Sequence, residues 1–277
     1  MRMKIDAHQH FWEYSPEEYP WISERMRGLR RDFLPQHWVS SAKSSGMEVS
    51  VAVQARQTLQ ETEWLLALAE ANPSVAGVVG WVDLRSPNLV TDLERFSSRK
   101  KLVGVRHVAQ DEPDDQFLIR DSFTAGIAVL SRFKLAYDIL IYPKQLPAAI
   151  ALARKFPGQP FVLDHIAKPN IAEKMWEPWA ALFRELGREP HVQCKLSGMV
   201  TEAHWHGWRA EEFTRYLDLA WETFGEDRLM FGSDWPVCLA SASYEQVFSI
   251  ISDYLSQFSQ NTRDKVLGGN AARFYHL

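Results

Sequence analysis

The feature that most limits the fold of this chain is a strand–helix alternation that begins at residue 5 and does not stop. Residues 49–55 (VSVAVQA) form a β-branched apolar run suited to a strand buried on both faces. Thr58 to Glu61 reads as a capping box, and Trp64, Leu65, Leu68 and Ala69 continue at helical spacing toward Pro73. The same pairing recurs with strands at 75–84, 102–108, 135–141, 161–165, 192–196 and 228–232. The helices between them fall at 87–98, around 122–130, after Pro143, around 176–186, at 211–224 and at 244–258. A short helix at 35–45, closed by Gly46, separates the first strand from the second, and a last helix begins at Asn270. Eight such units predict an α/β fold, a (β/α)8 TIM barrel, for which the 277 residues suit a single domain spanning 1–277. A doubly wound open sheet is the alternative, but no Gly-X-Gly-X-X-Gly follows any strand.

Composition narrows the class. A hydrophobic share of 46% with 24% charged residues is that of an ordinary soluble protein. The net charge of −4 gives no electrostatic case for nucleic acid or an anionic membrane. No apolar run approaches the ~20 residues that span a bilayer, and the first residues lack a secretory pattern, so the expected location is cytoplasmic. Two cysteines, Cys194 and Cys238, make no disulfide framework. The chain carries 11 tryptophans, several near strand ends, where they can serve as flat walls for sugar rings.

In a barrel, functional residues gather at the C-terminal ends of the strands. Those ends supply His8 and His10, Gln54, Trp81 with Asp83, Arg106 with His107, Asp138, Asp164 with His165, Lys195 with Ser197, and Ser233 with Asp234 and Trp235. Alternation along the first strand predicts that Asp6, His8 and His10 share a face. Imidazoles from strands one and six and a carboxylate from strand eight would then surround one mouth. The segment between Phe11 and Arg31, rich in aromatics such as Tyr14, Tyr19 and Trp21, is expected to form an ordered flap over it.

Asp6-Ala7-His8-Gln9-His10-Phe11-Trp12, Tyr19-Pro20-Trp21, Leu163-Asp164-His165 with Lys168-Pro169, Phe231-Gly232-Ser233-Asp234-Trp235-Pro236 and Gly269-Asn270-Ala271 carry a family resemblance. The sequence resembles the amidohydrolase superfamily, and within it the sugar-acid lactonases of the L-fuconolactonase and L-rhamnonolactonase type. The resemblance implies a hydrolase of cyclic esters with His8, His10, His165 and Asp234 around a substrate carbonyl or a metal, Asp234 handling the proton. Strand four offers Arg106-His107 where binuclear members have a bridging lysine, and strand five offers Asp138 where many have a metal histidine. The expectation is therefore at most one divalent ion, Zn2+ by its nitrogen and oxygen donors.

Lactone opening needs an activated water, an electrophilic anchor for the carbonyl oxygen and an acid for the departing alkoxide. Asp234 can take the water's proton and return it, with the histidines at the oxyanion. Gln54, Trp81, Arg106, His107, Asp138, Lys168, Trp21 and Trp235 are the candidate substrate-binding residues, and the partner is a small sugar lactone bound by a monomer or homo-oligomer. Two alternatives share parts of this pattern: a metal-dependent non-oxidative decarboxylase of an aromatic or muconate-like acid, and an inactive sugar-acid-binding barrel.

Overall fold

The computed structural model describes residues 3–277 and puts the eight expected strands in one parallel sheet, ordered β1 to β8. They are β1 (Ile5–Gln9), β2 (Val49–Val53), β3 (Val75–Gly80), β4 (Leu102–His107), β5 (Ala136–Ile139), β6 (Phe161–Leu163), β7 (Val192–Leu196) and β8 (Leu229–Phe231). A helix follows each: α1 (Pro35–Ala42), α2 (Leu59–Ala71), α3 (Leu89–Phe96), α4 (Asp121–Leu130), α5 (Leu146–Lys155), α6 (Trp179–Gly187), α7 (Glu211–Phe224) and α8 (Tyr244–Leu255). Two short helices, α9 (Gln260–Asp264) and α10 (Asn270–Tyr275), end the chain. Just beyond the two strands, β8 meets β1: His10 N–H donates to Trp235 C=O at 2.7 Å and Asp234 N–H to His8 C=O at 2.8 Å. The sheet is thereby closed at its C-terminal rim, as expected for a (β/α)8 barrel.

Strand parity sorts the side chains into two layers. Val51, Val53, Ala136, Val162 and Met230 fill the barrel with Ile5 and Ala7, and Phe274 and Tyr275 of α10 join them. Ala52, Tyr137, Ile139, Phe161 and Leu163 pack with the helices. Parity also puts Asp138 and Lys195 inside the barrel, where fully buried charges must find partners. Strands end earlier than the apolar runs suggest because the chain leaves the ladder; Trp81 N–H, for example, donates to Thr62 Oγ1 at 2.8 Å instead of to a neighbouring strand.

Two local expectations are corrected. Asp6 does not share a face with His8 and His10. The pairing of β1 with β2 runs from Asp6↔Ser50 to Gln9↔Ala52, three steps on β1 for two on β2, so one residue is extra. This bulge turns His8 into the barrel despite Ala7 beside it, and leaves Asp6 toward the helix layer. There its carboxylate accepts from Trp38 Nε1 at 3.1 Å, Tyr244 OH at 2.9 Å and Ser233 Oγ at 2.6 Å. The capping box at α2 is half formed. Thr58 Oγ1 accepts from Glu61 N–H at 3.1 Å, but the Glu61 carboxylate accepts from the N–H groups of Ala55 and Arg56. That second half stiffens the β2–α2 loop.

Both cysteines are buried and unpaired. Among the described residues, no helix is long and apolar enough to cross a membrane.

Candidate active site

The barrel mouth is built around three side chains from β1 and the segment after β8. His8 Nε2 and His10 Nε2 lie 3.2 Å apart, and Asp234 Oδ1 is 3.3 Å from His10 Nε2 and 3.8 Å from His8 Nε2. His10 Nδ1 is 2.8 Å from the Val53 carbonyl, which can only accept, so Nδ1 carries the proton and Nε2 presents a lone pair. A lone pair and a carboxylate oxygen this close need a positive centre beside them: an N–H from His8 or a cation. Donors bound to Zn2+ at about 2.0–2.1 Å in a tetrahedron stand about 3.4 Å apart. The set His8, His10 and Asp234 fits one such ion by donor type and spacing. His165, the further candidate ligand, has its Nε2 3.9 Å from Asp234 Oδ1 and also stands beside His8 and Asp164.

Beneath the triad lies a buried charge network. Lys195 Nζ is 2.5 Å from Asp138 Oδ2, 3.0 Å from Asp164 Oδ1 and 3.2 Å from His8 Nδ1. Arg106 donates to Asp164 Oδ2 at 3.1 Å and to the Gln54 carbonyl at 2.5 Å, and its Nη1 lies 3.3 Å from His8 Nε2. Tyr275 OH donates to Asp138 from α10. Burial would raise the Asp164 carboxyl, but the Lys195 charge, the contact with the His8 imidazole and the Arg106 charge hold it well below the usual carboxylate range. Asp138, with burial the larger effect and Lys195 only partly offsetting it, is pushed up to about 6. For Asp234, burial is outweighed by His165 and His10, and the carboxyl is held below its ordinary value. Burial pulls His8 and His165 well below the ordinary imidazole range, so both are neutral near pH 7.

His165 is held by an unusual turn. Four consecutive non-glycine residues, His165, Ile166, Ala167 and Lys168, have φ of 54°, 48°, 59° and 48°. At about 1–2 kcal/mol per residue for left-handed backbone, this turn stores several kcal/mol, and distant contacts hold it in place. Trp179 Nε1 donates to the Ile166 carbonyl at 2.8 Å, and His165 Nδ1 pairs with Ser197 Oγ at 2.8 Å. Gly198, at φ 66°, lies against the imidazole: a Cβ there would sit 2.6 Å from His165 Nδ1. Gly198→Ala therefore has to displace His165. We expect kcat/KM to fall at least about tenfold, since misplacing a catalytic group by about 1 Å can cost about 100-fold; steady-state kinetics on the folded variant checks this.

Above this floor opens a cavity of about 880 Å³ whose lining includes His10, Arg106, His165 and Asp234. Of the other sequence candidates, Trp21 and Lys168 line it too. The flap lies over it as expected, with Trp12 packed between Tyr19 and Phe33, and Arg25 stacks on Trp205 at 3.8 Å to join the flap to the β7–α7 loop.

Five of the substrate-binding candidates do not line the cavity. Gln54 is fully buried and donates to the Arg106 carbonyl. Asp138 is committed to Lys195 and Tyr275 inside the barrel. His107 pairs with Glu112 at 2.6 Å and stacks on Phe117, because it sits one residue past Arg106 and so faces the helices. Trp81 lies beside His107, its Nε1 3.5 Å from Nδ1. Trp235 packs edge-on against Phe11 and Phe33. Other lining residues escaped sequence reasoning, among them Arg56, Gln110, Tyr142, Glu202 and Trp205. All lie in loops beyond the strand ends, so a search extended into the loops would have included them, though nothing marks Trp205 as facing the mouth.

The amidohydrolase family matches residues 5–277 of this chain. The sequence is 43% identical to L-fucono-1,5-lactonase of Burkholderia multivorans, over 99% of this chain and 96% of that protein. It is 36% identical to L-fucono-1,5-lactonase of Burkholderia ambifaria, over 100% of this chain and 97% of that one. A crystal structure of an amidohydrolase from Burkholderia multivorans with bound Zn superposes with a TM-score of 0.94 at 44% identity, covering 99% of both chains. A match running through every βα unit, on a barrel that brings His8, His10 and Asp234 to one point, makes this chain a member of the amidohydrolase family.

Proposed function

We propose that the protein opens the ring ester of a neutral, polyhydroxylated sugar-acid lactone of the L-fucono-, L-rhamnono- or galactono- type. The observation that carries this reading is Asp234: an ionised carboxylate facing a cavity, within 4 Å of three imidazoles. Full-length likeness to proteins named L-fucono-1,5-lactonase supports the same substrate class. Asp234 Oδ1 accepts a proton from the attacking water as its oxygen bonds to the carbonyl carbon. The same proton then passes to the ring oxygen as the acyl C–O bond breaks, leaving a hydroxy acid. Arg106 and neutral His165, both lining the cavity, stabilise the oxygen that becomes negative. Lys195 and Asp164 hold His8 and Arg106 in position from below. A divalent cation held by His8, His10 and Asp234 would add Lewis-acid polarisation of the carbonyl.

Charge around the cavity favours a neutral substrate. Glu17, Glu18, Asp111 and Asp234 line the cavity beside only Arg56, Arg106 and Lys168 among the long cations, and Arg56 and Arg106 are already paired, so the lining offers no cluster of free cations for the two carboxylates of a dianion. Hydrolysis releases acid, so a pH-indicator assay across aldonolactones and a pyrone dicarboxylate tests the assignment. We expect acid release from the neutral lactones and a clear preference for them; preference for the dianion overturns it. Strand five supplies Asp138, bound to Lys195, where a further metal ligand would be needed, and we propose one Zn2+ per chain. Metal analysis should find no more than one ion, and two ions per chain would contradict this ligand assignment.

A further inference from the structure

Several charged side chains around the cavity are already committed. Arg56 pairs with Glu18 at 2.5 Å, and Arg106 with Asp164 at 3.1 Å. One side of the mouth differs. Gln110, Tyr142, Lys168 and Glu202 all line the cavity, and they come from the loops after β4, β5, β6 and β7, four neighbours in the barrel order. Gln110 Oε1 is buried without a hydrogen-bond partner, while the Gln110 backbone is fixed by donating to the Leu140 carbonyl at 3.1 Å. Among the described residues, the Tyr142 hydroxyl, the Lys168 ammonium and the Glu202 carboxyl have no hydrogen-bond or ion-pair partner either. They are nonetheless near one another: Lys168 Nζ stands 5.4 Å from the centre of the Tyr142 ring. A partly buried polar group left unpaired costs stability unless a ligand or water completes it. Together the four supply an amide, a hydroxyl, an ammonium and a carboxyl, a mixture of donors and acceptors suited to hydroxyls and not to a single charge.

We propose that Gln110, Tyr142, Lys168 and Glu202 form the arc that hydrogen-bonds the ring hydroxyls of the substrate, with Glu202 and Tyr142 as specificity-determining residues. This deepens the lactonase reading and rests on it for the pose, with the carbonyl at Arg106 and Asp234 and the polyol edge toward the arc. Burial, opposed by Lys168 and reinforced by Asp234, pushes the Glu202 carboxyl up to about 7, so near neutral pH it can donate as well as accept.

The test measures preference, not activity alone. Wild type, Tyr142→Phe and Glu202→Ala are titrated calorimetrically with a polyhydroxylated δ-lactam and with unsubstituted δ-valerolactam, neither of which needs turnover. The same proteins are assayed for opening of the hydroxylated lactone against δ-valerolactone. We expect the wild type to prefer the hydroxylated member of each pair, and each variant to lose about tenfold of that preference, mainly in Kd and KM, as one or two hydrogen bonds predict. Equal losses on both members, or no loss, overturns the arc. Lactam preference that falls in the variants while no lactone is opened retains the arc and overturns the lactonase reading.

Discussion

Asp234→Asn lowers kcat by at least about 100-fold, the range for removal of a general acid–base group. Asparagine matches the carboxylate in shape and, like aspartate, tolerates the left-handed backbone that Asp234 adopts at φ 56°. The Asp234 N–H bond to the His8 carbonyl closes the barrel rim and involves only backbone, so the variant should fold and still bind the lactam. What it loses is the ability to take a proton. Metal content measured on the same preparation separates two contributions. Loss of turnover at unchanged metal content isolates the proton-transfer role, whereas loss of metal alongside turnover identifies Asp234 as a ligand too. Near-normal turnover would remove Asp234 from the mechanism.

The barrel was legible because its signals are local. Val51 and Val53 face in and Ala52 faces out for the reason any strand alternates, and that parity needs no knowledge of neighbours. Parity also carried Arg106 to the cavity and, applied one residue further, would have sent His107 to the helix layer. The site failed to be legible where geometry depends on distant segments. The β1 bulge that separates Asp6 from His8 is fixed by register with β2, more than forty residues away in sequence. The left-handed turn at 165–168 departs from the preferences of isoleucine and alanine, and is held by Trp179, Ser197 and Gly198. Tryptophans near strand ends were poor guides to the cavity. Trp235 and Trp12 are almost wholly buried in aromatic packing, whereas Trp205, in a loop with no pattern of its own, lines the cavity.

Lys195→Met should cost about 3–5 kcal/mol of stability at pH 7.5, the range for removing one partner of a buried ion pair, read from urea denaturation. Methionine is of similar size and leaves little void, so the loss reports charge. In the wild type the Lys195 ammonium contacts Asp138 and Asp164, and all three side chains are fully buried. Without it, Arg106 is the remaining cation against Asp164, and Asp138 retains only the Tyr275 hydroxyl. Asp138 then rises further above its unfolded value of about 3.9, and Asp164 rises from its depressed position toward that value. A carboxyl raised in the folded state favours folding at low pH and penalises it as pH rises through the folded pKa. The deficit of Lys195→Met should therefore shrink as pH falls from 7.5 toward 5. In the wild type, Asp164 has the opposite sign: its depressed pKa stabilises above about 3.9, and that contribution is lost as pH falls toward the folded value. Adding Asp138→Asn to Lys195→Met removes one stranded charge and should recover part of the loss, with a non-additive term because the two side chains touch. A deficit below about 1 kcal/mol, or one independent of pH, would mean that the network is not held by charge. The same lysine also contacts His8 Nδ1, so activity in the variant should fall further than its unfolded fraction explains.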